Sequence, residues 1–192
     1  SEYQEIAQTA VQKHVTDLAG KNVQSGALVA IDPKTGYILA MVGSADYYNE
    51  DIAGQINMSL SPRQPGSSIK PITYLAAFEK GWTPATLIWD VETEFSPSGE
   101  PDDPRDPFVP VNYDEKDHGP VTVRTALSNS YNISAVKALS YVGIYGEGGM
   151  IDLAHEMGIT TLQEDYYGLS LALGGGEVTL LDMVSAYSVF SN

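Results

Sequence analysis

The chain has 192 residues, no cysteine and a formal net charge of −15 at pH 7. This length fits one domain with a core of its own, and the lack of cysteine excludes disulfides and thiolate metal sites. The acidic balance argues against nucleic acid as a partner, because phosphate binding needs a basic surface. No apolar run approaches the roughly 20 residues that cross a bilayer.

The first part of the chain predicts a helix followed by a β-hairpin. Apolar residues recur at helical spacing from residue 1 to about residue 18, and Gly20 then marks the end of the helix. Two apolar runs, at 27–31 and 37–42, enclose the turn-forming residues 32–36, a pattern typical of a hairpin. Because both runs are continuously apolar, we expect both faces of their sheet to be covered.

The remainder of the chain predicts helices and one long excursion. Pro71 is tolerated only in the first turn of a helix, so a helix over 67–80 should begin at Ser67. Residues 90–119 are rich in Asp, Glu and Pro and predict a surface excursion. Further helices are predicted at 121–127, 132–142, 151–157 and 177–190.

These elements together predict an α+β fold. Two strands alone make a sheet that is only marginally stable in water. We therefore expect the sheet to be completed by strands that lie outside this chain.

The segment Arg63-Gln-Pro-Gly-Ser-Ser-Ile-Lys70 sets Ser67 one helical turn before Lys70. Residues three apart on a helix have Cβ atoms about 5–6 Å from each other. An amine at that distance can take the proton of a hydroxyl, and a serine needs such help to act as a nucleophile. The Pro-Gly break also places Ser67 at a helix N-terminus, where free amides suit a developing oxyanion.

A second match to the same S-x-x-K pattern runs from Ser134 to Lys137. It lies within a predicted helix and has no Pro-Gly break before it. We interpret it as ordinary helix surface, since serine and lysine are common residues.

The tripeptide Ser130-Tyr131-Asn132 is the second candidate for chemistry. Residues two apart do not share a helix face, so both side chains can enter one cleft only if this stretch is a turn. Ser130 could then relay a proton to a leaving amine, and the Asn132 carboxamide could bind a substrate amide. The alternative is that both residues only cap the following helix, with Asn132 as its N-cap.

Taken in order, the Arg63–Lys70 segment, the run Gly-Pro-Val-Thr-Val-Arg-Thr-Ala-Leu at 119–127 and Ser130-x-Asn132 resemble the transpeptidase domain of penicillin-binding proteins. The resemblance runs from about residue 27 to residue 192. Shorter stretches favour the class A (bifunctional) members; they lie at 31–33 with Gly36, 40–43, 55–57, 171–174, 177–179 and 186–187.

The resemblance implies a β-lactamase/transpeptidase-like fold, with a sheet flanked by helices on both faces and the nucleophile on the central helix. It implies that Ser67 is the acylated nucleophile, Lys70 its base, Ser130 the proton shuttle and Asn132 a ligand of the substrate amide. The implied reaction cross-links peptidoglycan stem peptides by attack on D-Ala-D-Ala, and β-lactams acylate the same serine. No metal or organic cofactor is implied.

The family's third motif, K-T-G, should follow Ser130-x-Asn132 on an edge strand. The only match here, Lys34-Thr35-Gly36, lies in the predicted hairpin turn and is explained by turn chemistry. We therefore expect residues 23–192 to be the N-terminal portion of a transpeptidase domain, with a complementary C-terminal fragment that carries K-T-G. Residues 1–22 would be a leading or linker helix, and the parent protein would act at the extracytoplasmic face of the bacterial cell membrane.

Two other functions remain open. A serine β-lactamase of related fold would need a group that activates water, and no convincing glutamate motif lies between 132 and 174. A non-catalytic β-lactam sensor or scaffold would retain the same serine and lysine. The acidic residues between 102 and 117 are interpreted as a solvated loop without calcium-loop spacing, and the three histidines as scattered residues without zinc spacing.

Overall fold

The computed structural model describes all 192 residues and confirms the mixed composition of helix and strand. Six α-helices are present: α1 (Glu2–Asp17), α2 (Lys70–Glu79), α3 (Val123–Ser128), α4 (Asn132–Val142), α5 (Met150–Glu156) and α6 (Leu180–Ser188). Four strands form two antiparallel pairs: β1 (Leu28–Ile31) with β2 (Ile38–Val42), and β3 (Leu87–Asp90) with β4 (Gly119–Thr122). Short 3-10 turns lie at Ala19–Lys21, Glu50–Ile52, Gly66–Ile69, Leu169–Leu173 and Val189–Ser191.

The chain divides into two compact units. The first consists of Ser1–Arg63, Met157–Thr161 and Val178–Asn192, and the second of Gln64–Glu156 and Leu162–Glu177. None of the helices has both the length and the apolar character that a membrane crossing requires.

The predicted hairpin forms the centre of the first unit. β1 and β2 pair in antiparallel register, with Leu28 opposite Val42. In the turn between them Asp32 accepts hydrogen bonds from the Lys34 backbone at 3.0 Å and from the Thr35 hydroxyl at 2.9 Å. Gly36 follows with a φ of +73°, a conformation that favours glycine. The Lys34-Thr35-Gly36 sequence is thus a structural turn, as predicted.

Helix α1 packs against β2 and also occupies part of its outer edge. The Gln4 carboxamide donates to the carbonyl oxygen of Met41 and accepts from its backbone N–H, both at 2.9 Å. One glutamine side chain therefore takes the two hydrogen bonds that a neighbouring strand would make there. Below it lies a small apolar core of Ala7, Val11, Ala40, Val42 and Ala45.

The second unit contains a strand pair that was not predicted from the sequence. β3 shows alternating exposure: Leu87 and Trp89 are exposed, whereas Ile88 and Asp90 are buried. Its partner β4 covers Gly119–Thr122, so the prediction of a helix from residue 121 was wrong by two residues. Thr122 ends the strand and caps α3, because its hydroxyl accepts from the Thr125 backbone N–H at 3.2 Å.

The core of the second unit is built around α2 and α4, which pack against each other. Both helices contain small, fully buried residues, and small side chains let helix backbones approach closely; these residues include Ala76, Ala77, Ala135 and Ala138. At the end of α2, Lys80 donates to the carbonyl oxygen of Val142 at the C-terminus of α4, where a cation is favourable. Helix α2 is thereby fixed as a rigid support for Lys70.

Candidate active site

Ser67 lies in a single 3-10 turn, Gly66–Ile69, and not in the first turn of an α-helix as predicted. Helix α2 begins three residues later at Lys70, with Pro71 in its first turn. Such 3-10 turns are frequent at helix N-termini. The Ser67 side chain is exposed, so the hydroxyl is accessible from solvent.

A glycine from a distant part of the chain supports the turn that carries Ser67. Gly174 has a φ of +87°, and a Cβ atom on it would lie 2.3 Å from the backbone nitrogen of Gly66. Any side chain at residue 174 would therefore push the backbone immediately before Ser67. Gly174 thus acts as a close packing surface for the turn that carries the candidate nucleophile.

Lys70 is fully buried, and its amine contacts the Ser130–Asn132 segment. Its Nζ atom donates to the carbonyl oxygen of Ser130 at 2.5 Å, to the Ser130 hydroxyl at 3.1 Å and to Oδ1 of Asn132 at 2.7 Å. An ammonium group has three N–H donors, and all three have acceptors here. No hydrogen bond joins Lys70 to the Ser67 hydroxyl. The structure therefore brings together three of the four predicted site residues and places Ser67 one turn before them.

The pKa of Lys70 is lowered to about 8, because burial penalises the charged amine. The negative charge of Asp90 offsets part of this effect. At pH 7 the neutral amine is therefore more populated than in a solvated lysine. Lys70 can therefore act as a proton acceptor near neutral pH.

The C-terminal capping motif of α3 sets the backbone conformation of Ser130. Its backbone N–H donates to Leu127 at 3.0 Å, and the N–H of Tyr131 donates to Ala126 at 2.9 Å, the two bonds of a Schellman motif. Ser130 has a φ of +57° at the position where this motif usually has glycine. A left-handed conformation costs a residue with a Cβ about 1–2 kcal/mol. The strained residue is the one whose hydroxyl contacts Lys70, and backbone strain of this kind is typical of functional sites.

Asn132 is the first residue of α4 and does not cap it. The N-cap position is Tyr131, whose side chain makes no capping hydrogen bond. The Asn132 carboxamide instead accepts from Lys70 and donates to the carbonyl oxygen of Val111 at 2.8 Å. The alternative interpretation, in which Ser130 and Asn132 only cap the helix, is thus wrong.

The free N–H groups of α4 are capped from elsewhere in the chain. Oδ1 of Asn112 accepts from the backbone N–H of Asn132 at 2.7 Å and from that of Ile133 at 3.3 Å. Oδ1 of Asp90 accepts from the backbone N–H of Ser134 at 3.1 Å. The first three amides of the helix are therefore satisfied by two residues that are distant in sequence.

Asp90 is fully buried and is surrounded by donors. Besides the Ser134 backbone it accepts from the Ser134 hydroxyl at 2.7 Å and from the Asn112 carboxamide at 2.6 Å, and it pairs with Nδ1 of His118 at 2.9 Å. Burial raises the pKa of the Asp90 carboxyl, but the hydrogen bonds from Ser134, His118 and Asn112 outweigh it and lower the pKa below its usual range. Asp90 is thus a buried carboxylate held by hydrogen bonds.

His118 links this carboxylate to the tripeptide. Its ring stacks on Tyr131 with centroids 3.8 Å apart, and its Nε2 atom lies 3.1 Å from Oδ2 of Asp114. The hydrogen bond to Asp90 is the largest influence on its pKa, which is raised. His118 therefore has a defined partner at each ring nitrogen and a stacked partner on its face.

The second S-x-x-K pattern is also not helix surface. Ser134 is fully buried against Asp90, and Lys137 donates to the carbonyl oxygen of Trp89. Both residues secure α4 to β3. The pattern is structural, with Ser134 buried and Lys137 half-buried.

Sequence reasoning missed Asp90, Asn112 and His118. Asp90 ends a short apolar strand and resembles the start of the acidic excursion. Asn112 and His118 lie within that excursion, where polar residues are the rule. A buried aspartate after Leu-Ile-Trp is the one local signal that could have been used, because buried charges require partners.

A buried lysine amine that contacts Ser130 and Asn132, one turn after an exposed serine, is an arrangement that can serve nucleophilic catalysis by serine. The family model of the penicillin binding protein transpeptidase domain matches residues 26–192. The chain therefore belongs to the family of penicillin-binding protein transpeptidase domains.

Relatives and solved structures agree with this assignment. Penicillin-binding protein 1A of Aquifex aeolicus (strain VF5) is 41% identical over 168 residues, which is 87% of this chain and 21% of that protein. Penicillin-binding protein 2D of Bacillus subtilis (strain 168) is 36% identical over 98% of this chain and 25% of its own length. The crystal structure of penicillin-binding protein 1A from Haemophilus influenzae superposes with a TM-score of 0.76 at 32% identity, covering 88% of this chain and 23% of that one. The chain thus spans about a fifth to a quarter of these relatives.

Proposed function

We propose that this chain provides the nucleophile and the proton-transfer groups of a D,D-transpeptidase that cross-links peptidoglycan stem peptides. The observation that carries the proposal is the buried Lys70 amine, which contacts the Ser130 hydroxyl and the Asn132 carboxamide one turn after the exposed Ser67. Family membership supports the same reaction class.

In the first step Ser67 attacks the carbonyl carbon of the peptide bond between the two D-Ala residues. Neutral Lys70 takes the hydroxyl proton, and the backbone N–H of Ser67 can donate to the oxyanion. The carbon–nitrogen bond then breaks, and the leaving amine takes a proton from the Ser130 hydroxyl, which is replaced from Lys70 across 3.1 Å. The products are free D-Ala and an acyl ester on Ser67.

In the second step an amine of another stem peptide attacks this ester. The new amide bond forms, the ester bond to Ser67 breaks, and the amine proton returns through the same groups to the serine oxygen. Asn132 would orient the substrate amide with its carboxamide. A β-lactam would follow the first step only, with opening of its ring amide and a long-lived ester on Ser67.

The wider setting of this domain is part of the proposal. Residues 23–192 would be the N-terminal portion of the transpeptidase domain, and residues 1–22 a leading or linker helix. The K-T-G motif would come from a complementary C-terminal portion, and the assembled domain would act at the extracytoplasmic face of the bacterial cell membrane. The intact mass of the purified natural protein would show whether a polypeptide with K-T-G accompanies this sequence.

The test of the function is covalent labelling of the full-length protein with a fluorescent penicillin. We expect one label per molecule, on Ser67 by peptide mass spectrometry, and no label in the Ser67→Ala variant. Rapid turnover of the antibiotic would instead indicate a β-lactamase. A stable label without cross-linking of lipid-linked peptidoglycan would indicate a sensor.

A further inference from the structure

Helix α4 begins at the residue that must also present a carboxamide to Lys70. Helix N-termini are normally capped by the side chain at the N-cap position or just before it. Here that stretch is Ser130-Tyr131-Asn132, and if Ser130 or Asn132 capped the helix, its side chain would be turned toward backbone amides and away from Lys70. Asn112 and Asp90 remove this conflict. Although they lie outside the helix and the tripeptide, they accept from the first three backbone amides of α4.

We propose that Asn112 and Asp90 are positioning residues, which hold the start of α4 so that the Ser130 and Asn132 side chains remain free for the reaction. Asn112 is 3% exposed and Asp90 is completely buried, so neither is placed to contact a substrate. The inference rests on the proposed function for its catalytic consequence. The capping itself is independent of any activity.

The two caps are tied into one rigid unit. Nδ2 of Asn112 donates to Oδ2 of Asp90 at 2.6 Å and to the carbonyl oxygen of Lys116 at 2.8 Å. The orientation of the Asn112 carboxamide is thereby fixed, with its oxygen toward α4. Because Ser130 sits in a strained left-handed conformation, an uncapped helix start would let the turn relax and withdraw its hydroxyl from Lys70.

The first test is the Asn112→Ala variant of the full-length protein, with acylation by a fluorescent penicillin followed at several concentrations. We expect the acylation rate constant at saturation to fall between about 10-fold and about 100-fold, with little change in the half-saturating concentration. Rates are measured well below the unfolding midpoint and per folded molecule. A folded variant with the wild-type rate constant would overturn the proposal, because a merely stabilising residue changes only the midpoint.

The second test restores a local cap. In Asn112→Ala/Tyr131→Ser, a serine at the N-cap position can accept from the first amides of α4 without adding charge beside Asp90. Tyr131→Ser alone also removes the ring that stacks on His118, so recovery is measured against that single variant: Asn112→Ala should cost at least about 10-fold less in the Tyr131→Ser background than in wild type. No recovery in the folded double variant would overturn the proposal. Asn129→Ala is the matched control, since that exposed carboxamide bonds only within the preceding helix and its C-terminal turn.

If the variants do not fold, hydrogen exchange in the wild-type protein tests whether the first amides of α4 are capped. The amides of Asn132, Ile133 and Ser134 should exchange much more slowly than those of Glu2 and Tyr3, which hold the equivalent positions in α1. Equal exchange in the two helix starts would overturn the proposal. Slow exchange in a protein that no penicillin labels would retain the capping and reject the proposed function.

Discussion

The Nζ atom of Lys70 lies 2.7 Å from the Oδ1 atom of Asn132, which is 62 residues further along the chain. This contact joins the two motifs that the sequence displays separately. It also shows that the partners of the lysine are on the Ser130–Asn132 turn and not on the serine of its own motif. Lys70 thus lies three residues after the candidate nucleophile Ser67 in the sequence and contacts the candidate proton shuttle Ser130 in the structure.

The first prediction concerns the pH dependence of acylation. Because the pKa of Lys70 is lowered to about 8 and only the neutral amine accepts a proton, the rate constant should rise with pH through about 8 and then level off. The measurement is penicillin acylation at saturating concentration between about pH 6 and about pH 10. Lys34→Ala, in the hairpin turn, should give the same profile as wild type. A flat profile between about pH 7 and about pH 9 would exclude Lys70 as the base.

The second prediction compares the two S-x-x-K serines. Ser67→Ala should lose the covalent label and retain the unfolding midpoint, since its side chain is exposed. Ser134→Ala should keep the label and lose about 1–3 kcal/mol of stability, because it removes a hydroxyl that donates to the buried Asp90 carboxylate. Thermal unfolding and fluorescent labelling on both variants provide the measurement. Loss of the label in folded Ser134→Ala would show that the second pattern also takes part in the chemistry.

The third prediction concerns the glycine that supports Ser67. Gly174→Ala should displace the Gly66 backbone and lower the acylation rate about 10-fold or more, together with the unfolding midpoint. Gly146→Ala is the control: its φ of +85° is almost the same, but no atom lies within 4 Å of the added methyl. It should show only the left-handed cost of about 1–2 kcal/mol and normal acylation. Equal acylation in both variants would contradict the role of Gly174.

The fourth prediction concerns stability and His118. Its pKa is raised in the folded protein, chiefly by Asp90, so its contribution is fully present below the ordinary histidine pKa of about 6.5 and is lost as pH rises through the folded value. The contribution of His118 to stability also requires an ionised Asp90 carboxylate, so it should decrease below about pH 4. The loss of unfolding midpoint in His118→Phe should therefore be larger near pH 5.5 than near pH 9, values chosen on either side of about 6.5. His14→Phe, at an exposed histidine of α1, controls for the loss of an imidazole; a deficit in His118→Phe that is independent of pH would reject the charged pair.

Local patterns predicted the helices well where capping and periodicity agree. Helix α4 has the predicted bounds, and the hairpin turn at 32–36 forms as its Asp, Thr and Gly residues indicate. The strand pair β3–β4 was not foreseen, because the acidic excursion separates its two strands. No short turn joins them, so the sequence has no hairpin pattern that would predict their pairing. Pairing of this kind is decided by tertiary packing and not by local preference.

The geometry of the site was predictable only in part. The four residues at the motif positions could be chosen from spacing, but the contact of Lys70 with Ser130 and Asn132 depends on how α2 and α4 pack. The left-handed conformation of Ser130 could not be predicted, because the position holds serine and not the glycine that usually signals it. The capping by Asp90 and Asn112 could not be foreseen, because a remote cap leaves no pattern at the helix that it serves.

The two hydrogen bonds between the Gln4 side chain and the Met41 backbone protect part of the outer edge of β2. A strand that approached β2 from outside would meet a backbone position, Met41, whose donor and acceptor are already taken. Edge-to-edge association of two molecules through β2 is thereby discouraged.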